Sequence, residues 1–384
     1  MFKTTLRSGA LALLAAATAG GAVQAGGFNR GTADTDLLFE DGTVVIRGEA
    51  TYVAPRRGYN TINGVASGDP DYSDNYFVPN FAAKFQIMEQ FACVATYTQP
   101  FGGSTTYGPQ AQLAEFINTG NATFHKEFIT HEYGATCDYK VAAGQGNFHL
   151  LGGVFLQSFS YTEETAAGTL DLDDNSALGY RIGGAYEIPE YAFRAQIMYR
   201  SEIEHDVEGQ FQPLGLAPLL GSVPVYADGA GTLPQSLKVS LQTGVAAGWL
   251  VYGSVEWTDW SVLTDIQVTE GIAGLPFSTT RFFFEDGWTI TGGVGHRFNP
   301  ALSGSLSLTW DKGVSTGWDT LTDTWTIAGG LAYDVNSNIQ VRGGGAAIYF
   351  TEGTKSQVSS PVDYTATSPS EWGYALSVSA AAKF

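Results

Sequence analysis

The chain has 384 residues, a formal net charge of −19, 44% hydrophobic and 13% aromatic residues, and 48 glycines. That acidity excludes a nucleic-acid partner, because binding phosphate requires a basic face. After the first few residues, no apolar stretch approaches the ~20 residues of a membrane-spanning helix. A closed sheet is the other structure that crosses lipid, since it satisfies its own backbone groups.

Lys3 and Arg7 give a basic start, Leu11 to Ala19 form a short apolar run, and Val23-Gln24-Ala25 reads as a small-residue cleavage site. These features predict a secretory signal peptide over residues 1–25 rather than a retained anchor. Without Lys3 and Arg7 the balance is 17 cations against 38 acids, or −21. Residues 26–42 do not alternate. They either fold into the lumen as a short plug or fray as a free terminus.

From residue 43 onward, alternating segments recur at 43–54, 78–87, 91–100, 127–140, 147–161, 175–187, 191–206, 236–247, 249–262, 284–298, 301–312, 324–334, 339–352 and 371–384. In 191–200, Tyr191, Phe193, Ala195, Ile197 and Tyr199 share a face opposite Arg194, Gln196 and Arg200. In 236–245, Leu237, Val239, Leu241 and Val245 oppose Ser236, Lys238, Ser240 and Gln242. Charges stay on the non-lipid face, as they must if one at mid-membrane costs about 2–4 kcal/mol. Met88-Glu89-Gln90, Ile188-Pro189-Glu190 and Asn299-Pro300 are tight turns, whereas 101–126, 207–235 and 263–283 are long loops. The last segment puts Trp372, Tyr374, Leu376, Val378, Ala380 and Ala382 on one face and ends on Phe384. The pattern predicts an all-β fold: a transmembrane antiparallel β-barrel of about fourteen strands over 43–384, in the outer membrane of a Gram-negative bacterium. Its terminal aromatic is expected to be read by the barrel assembly machinery, and the barrel is expected to be monomeric.

Cys93 precedes the 101–126 loop by about as many residues as Cys137 follows it, so an antiparallel hairpin brings them together. In an oxidising compartment these two cysteines are expected to form a disulfide. The histidines are scattered without metal spacing, and no Gly-x-Ser-x-Gly elbow is present. Asp171, Asp173 and Asp174 lack the glycine and distal glutamate of a calcium loop. No catalysis, metal or cofactor is expected.

Three stretches resemble the FadL family of outer-membrane transporters for long-chain fatty acids and other hydrophobic compounds. The first is Phe77-Val78-Pro79-Asn80-Phe81 with Tyr97-Thr98-Gln99-Pro100-Phe101-Gly102. The second is Leu233-Pro234-Gln235-Ser236 with Val255-Glu256-Trp257-Thr258-Asp259-Trp260-Ser261. The third is Phe284-Glu285-Asp286-Gly287-Trp288 with Arg297-Phe298-Asn299-Pro300. The resemblance implies a fourteen-stranded barrel with an N-terminal hatch and passive entry of a hydrophobic ligand. The ligand would be caught outside, held near the N-terminus where Phe28 would touch it, and released sideways into lipid at a kinked strand. The family's Asn-Pro-Ala segment is missing, and the tail before the first strand is short. An importer of aromatic hydrocarbons fits the same resemblance, while a surface adhesin needs neither an apolar catching surface nor a blocked lumen.

Loop 207–235 carries Phe211, Leu214, Leu216, Leu219 and Leu220, a run that a solvated loop would not normally hold. Leu113, Phe116 and Ile117 are spaced as one helix face. These two loops form either a catching groove or a lid packed on itself. A carboxylate headgroup would want a cation, and the lumen face offers Arg47, Lys84, Arg181, Arg194, Arg200, Lys238, Arg297 and Arg342. Arg194 and Arg200 are retained as candidates, although such cations usually pair with lumen acids such as Glu49 and Glu256. If the groove exists, Leu216→Ser and Leu219→Ser each weaken oleate binding by about tenfold without unfolding the barrel. Equilibrium binding of labelled oleate to the purified variants measures this, and unchanged affinity would count against the groove.

Overall fold

The computed structural model describes residues 27–69, 71–214, 223–263, 265–270, 276–357 and 364–384. In chain order the strands are β1 (Val44–Ala54), β2 (Tyr59–Ile62), β3 (Val65–Asp69), β4 (Tyr76–Met88), β5 (Phe91–Thr98) and β6 (Gly102–Thr106). The helix α1 (Pro109–Thr119) follows, then β7 (Thr123–Ala143), β8 (Gly146–Thr165), β9 (Gly168–Ile188), β10 (Phe193–Arg200), β11 (Ile203–Pro213), β12 (Val225–Leu233) and β13 (Ser236–Ala246). The remainder are β14 (Trp249–Thr258), β15 (Asp265–Glu270), β16 (Pro276–Arg281), β17 (Gly287–Arg297), β18 (Leu302–Lys312), β19 (Thr324–Asp334), β20 (Ile339–Phe350), β21 (Gly353–Gln357), β22 (Tyr364–Ser368) and β23 (Glu371–Lys383).

Nineteen of these strands form one antiparallel sheet closed into a barrel of 14 wall positions. Closure is made by β1 and β23, in register from Val45↔Lys383 to Ala54↔Tyr374. Pro234-Gln235 and Ser201-Glu202 split two wall positions, and three more are divided into β5/β6, β14/β15 and β16/β17. Short turns join the strands at one end, as between Ala143 and Gly146.

At the membrane level the strands alternate as the sequence predicts. Leu241 and Val239 of β13 face outward and half exposed, while Lys238 turns inward to Glu256 at 3.2 Å. Beyond that level the polarity reverses. Leu170, Leu172, Val207 and Phe211 are buried inside the wall, while Asp171, Glu204, Asp206 and Glu208 point outward and are exposed. The reversal explains two corrections. Residues 207–213 and 225–233, expected as a loop, are the hairpin β11–β12. The strands expected at 127–140, 147–161 and 175–187 run on as β7, β8 and β9 into a crown above the bilayer. A strand whose outward face meets water keeps its period but swaps which register is polar. Residues 265–270 and 276–281, also expected as loop, pair as β15 and β16.

A second sheet of four short strands, in the order β21-β22-β2-β3, sits outside the barrel wall. α1 packs on it through Ala111 and Ala114, beside Tyr59, Tyr72 and Tyr364. Pro109 starts this helix, and Gly120, at φ 80°, ends it in the left-handed conformation that glycine tolerates. Cys93 and Cys137 are directly opposed in the β5–β7 ladder and joined by a disulfide.

Residues 30–40 lie against the inner face of the barrel. Leu37 and Leu38 are buried on the inward side chains of Val45, Ala82, Ala92, Val94 and Leu151. Asp34 reaches Arg47 at 2.6 Å, and Asp36 reaches Arg194 at 3.3 Å. Glu40 bonds Arg47, meets Lys383 at 2.8 Å and Arg342 at 3.6 Å, and its carbonyl accepts from Lys84.

The alternation yields a direct test. Leu241→Arg, on the lipid side of mid-strand β13, is expected to destabilise the barrel by about 2–4 kcal/mol, and Ser240→Arg, turned into the lumen, by much less. Equilibrium unfolding in lipid vesicles measures both.

Candidate functional site

The third wall position is broken where Gln99-Pro100-Phe101 stand opposite only Thr130 and His131. The ladder runs Thr98↔Glu132 below the break and Gly102↔Ile129 above it. Three residues against two make a bulge, which bends the strand. Pro100 has no N–H to offer the ladder. Phe101 turns inward, and its carbonyl and amide are both held by the Thr130 hydroxyl, at 2.9 and 3.0 Å.

Phe28 to Gly31 add to this break as a short strand. Arg30 N–H donates to the Pro100 carbonyl at 2.8 Å, Gly31 N–H to Gln99 at 2.9 Å, and Gly102 N–H to Phe28 at 3.0 Å. Gly31 is a close approach: a Cβ there would fall 2.5 Å from the Thr98 hydroxyl and 2.9 Å from Val78.

Phe28 is thereby placed in a cluster of rings. Its ring centroid lies 4.9 Å from Phe128, 5.9 Å from Trp260, 6.0 Å from Phe282 and 5.7 Å from Phe284. Phe101, Leu233, Leu263 and Val314 complete the buried set. Most of these side chains sit where the wall is split. Trp260 is fully buried, and its Nε1 has no acceptor. All three stretches that carry the family resemblance meet here, through Phe101, through Leu233 and Trp260, and through Phe284.

The same break leaves a window in the wall. The β4–β5 ladder ends at Phe81↔Tyr97. The next contact on that edge is the isolated bridge Ser73↔Thr105. Between them, Arg30 to Thr32 fill the space, with Asn80 Nδ2 donating to the Thr32 carbonyl at 2.6 Å.

The lumen holds a cavity of about 330 Å³ whose lining includes Arg47, Glu49, Lys238, Glu256, Ser240 and Thr309 and reaches Pro100 and Phe101. Its roof is an ion-pair centre. Glu132, 1% exposed, bonds Arg181 and meets Arg200 at 3.0 Å. Both guanidiniums lie over the Phe155 ring, at 4.4 and 4.7 Å.

The sequence-derived candidates fall in separate places. Phe28 lies in the ring cluster, and Arg200 beside it, 5.0 Å over Phe101. Arg194 lies lower, on Asp36 and the Phe39 ring. Phe211 is buried in the crown with Leu170, Leu172, Val207 and Ala227, and Leu214 is exposed beyond it. Leu113 and Phe116 are on the exposed face of α1, whose contacts are with β2, β3, β7 and β22. Leu216, Leu219 and Leu220 lie outside the described residues. Sequence reasoning missed Glu132, Glu40 and Asp34 as the partners of the lumen cations. Strand parity gives the face of Glu132, and nothing local marks the other two.

A closed membrane barrel whose wall is split beside a cluster of rings, with its own N-terminal segment against the inner face, has the fold of transport channels and not of enzymes. Residues 34–359 match the model of the outer membrane protein transport protein family (OMPP1/FadL/TodX). The chain belongs to that family, whose members are outer-membrane transporters of hydrophobic compounds in Gram-negative bacteria. It is 21% identical to the long-chain fatty acid transport protein of Escherichia coli O6:H1, over 79% of this chain and 78% of that protein. Its fold is similar to a Pseudomonas aeruginosa FadL homologue, with a TM-score of 0.74, 13% identity and 92% and 93% of the two chains covered. It is also similar to the Pseudomonas putida toluene transporter TodX, with a TM-score of 0.63, 14% identity and 92% and 93% covered.

The ion-pair centre supplies a test. Glu132→Gln leaves Arg181 and Arg200 buried without their carboxylate and is expected to cost about 3–5 kcal/mol. In that background, Arg200→Met costs less than it does in the unaltered protein, because the two share one interaction. Denaturant unfolding of the four proteins reads both effects.

Proposed function

We propose that this chain carries long-chain fatty acids across the outer membrane by diffusion, holding them at the Phe28 cluster and releasing them sideways through the window between β4 and β6. The observation that supports this most is that Phe28 of the ring cluster stands on the same segment that fills the window. A sixteen-carbon chain carries roughly 12 kcal/mol of transfer free energy at about 0.8 kcal/mol per methylene. A route straight down the lumen would run such a chain past ion pairs and the packed Leu37 and Leu38. A route through the window runs past Val78, Tyr97 and Pro100 and meets lipid beside the exposed Phe77 and Phe81. The apolar interior of the crown, around Phe211 and Val207, forms the approach, and the exposed Leu113 and Phe116 of α1 form an outer catching surface. One barrel contains pocket and window, so the chain acts as a monomer.

A second reading is uptake of aromatic hydrocarbons. It draws on the predominance of rings in the pocket, since edge-to-face packing favours a flat aromatic guest.

Uptake of labelled oleate and labelled toluene by cells with and without the gene separates these readings. Oleate uptake is expected to rise severalfold with the chain present. Phe128→Asp, which buries a carboxylate among the rings, is expected to lower it by about tenfold or more while the barrel keeps its heat-resistant gel mobility. A response confined to toluene favours the second reading, and no response to either rejects both.

A further inference from the structure

Six cations among the described residues are buried: Arg30, Arg47, Arg57, Lys84, Arg181 and Arg194. Five have acceptors for their side chains. Arg47, Arg181 and Arg194 meet carboxylates, Lys84 meets the Glu40 carbonyl, and Arg57 donates to three backbone carbonyls and the Thr322 hydroxyl. Arg30 has none. It is 3% exposed, its Nε lacks any acceptor, and no carboxylate among the described residues lies within ion-pair distance. Its guanidinium rests over the Tyr76 ring, 4.1 Å from the centroid, and against Gly102, where a Cβ would lie 2.7 Å away. A ring face attracts a cation but does not replace the hydrogen bonds lost on burial.

Arg30 stands in the window, two residues from Phe28. A second unpartnered donor, a hydroxyl, lies against the next residue, Gly31. The Thr98 hydroxyl is fully buried without a partner and faces Gly31. Two uncompensated donors, one of them charged, thus lie along the short N-terminal strand that carries Phe28 into the ring cluster.

We propose that Arg30, assisted by Thr98 at the adjoining Gly31, is the carboxylate-recognition site of this channel, taking the headgroup of a long-chain carboxylate whose tail lies among Phe28, Phe101, Phe128 and Trp260. The inference rests on the Phe28 cluster being the ligand pocket. It makes the channel selective for an anion over a neutral molecule of equal length, because only the anion brings the opposite charge and a two-oxygen acceptor to the buried guanidinium. It also ties recognition to opening, since the segment that reads the headgroup is the one that fills the window.

The test uses the full-length protein in nanodiscs of zwitterionic lipid, with oleate and its neutral counterpart oleyl alcohol as probes. Arg30→Met is expected to weaken oleate binding by about tenfold or more and to leave oleyl alcohol within about twofold. Arg30→Lys, which keeps the charge, recovers part of the oleate affinity. Thr98→Val, the milder change, lowers oleate affinity severalfold and not that of the alcohol. Unchanged oleate affinity in Arg30→Met, or an equal loss for both probes, overturns the headgroup assignment while leaving the apolar pocket standing. Absence of saturable binding of either probe to the unaltered protein overturns the pocket as well.

Discussion

A wall inside lipid must satisfy every backbone hydrogen bond from within, because hydrocarbon offers no partner. That rule makes any opening in the wall a structural problem before it is a functional one. Here the ladder between β4 and β5 stops at Phe81↔Tyr97, and the carbonyls of Gln99 and Pro100 would be left bare. The N-terminal segment supplies the missing donors from Arg30 and Gly31. The window exists because a piece of chain outside the wall completes it. Whatever opens the window must also supply, or tolerate losing, those bonds.

The barrel also has two interiors of opposite character. At the membrane level the outward face belongs to lipid, so the inward face carries the polar groups, and they settle into ion pairs around Glu40, Glu132 and Glu256. Above the membrane the outward face belongs to water, so the apolar side chains move inside, around Phe211 and then Phe28. A hydrophobic guest entering from outside therefore meets a favourable environment until it reaches Glu132, and an unfavourable one below it. The window lies at that boundary. The proposed sideways route would leave the barrel where the wall changes its solvent.

Much of this was legible in the sequence. The parity of Leu237, Val239 and Leu241 against Ser236, Lys238 and Ser240 identifies a lipid-facing strand without any structure. The cysteine spacing about one hairpin led to the direct opposition of Cys93 and Cys137. The crown was harder to read, because the period persists through Asp171, Leu172 and Asp173 while the polar register changes sides. The strands β2, β3, β21 and β22 have four or five residues each, too few for a period to register. Arg30 had no local signal at all. Its meaning comes from what is absent around it, and only packing defines an absence. Phe28 was reached through family resemblance, not from its neighbours in sequence.

Glu40 lies on the N-terminal segment yet holds Arg47 of β1, Arg342 of β20 and Lys383 of β23, while its carbonyl holds Lys84 of β4. Those four strands flank or form the seam where the barrel closes. A cylinder that closed with Glu40 elsewhere would take from Arg47, Arg342 and Lys383 the one carboxylate they share. Seating the N-terminal segment therefore favours joining the ends of the sheet, and the Glu40 carboxylate serves as a clasp across the seam.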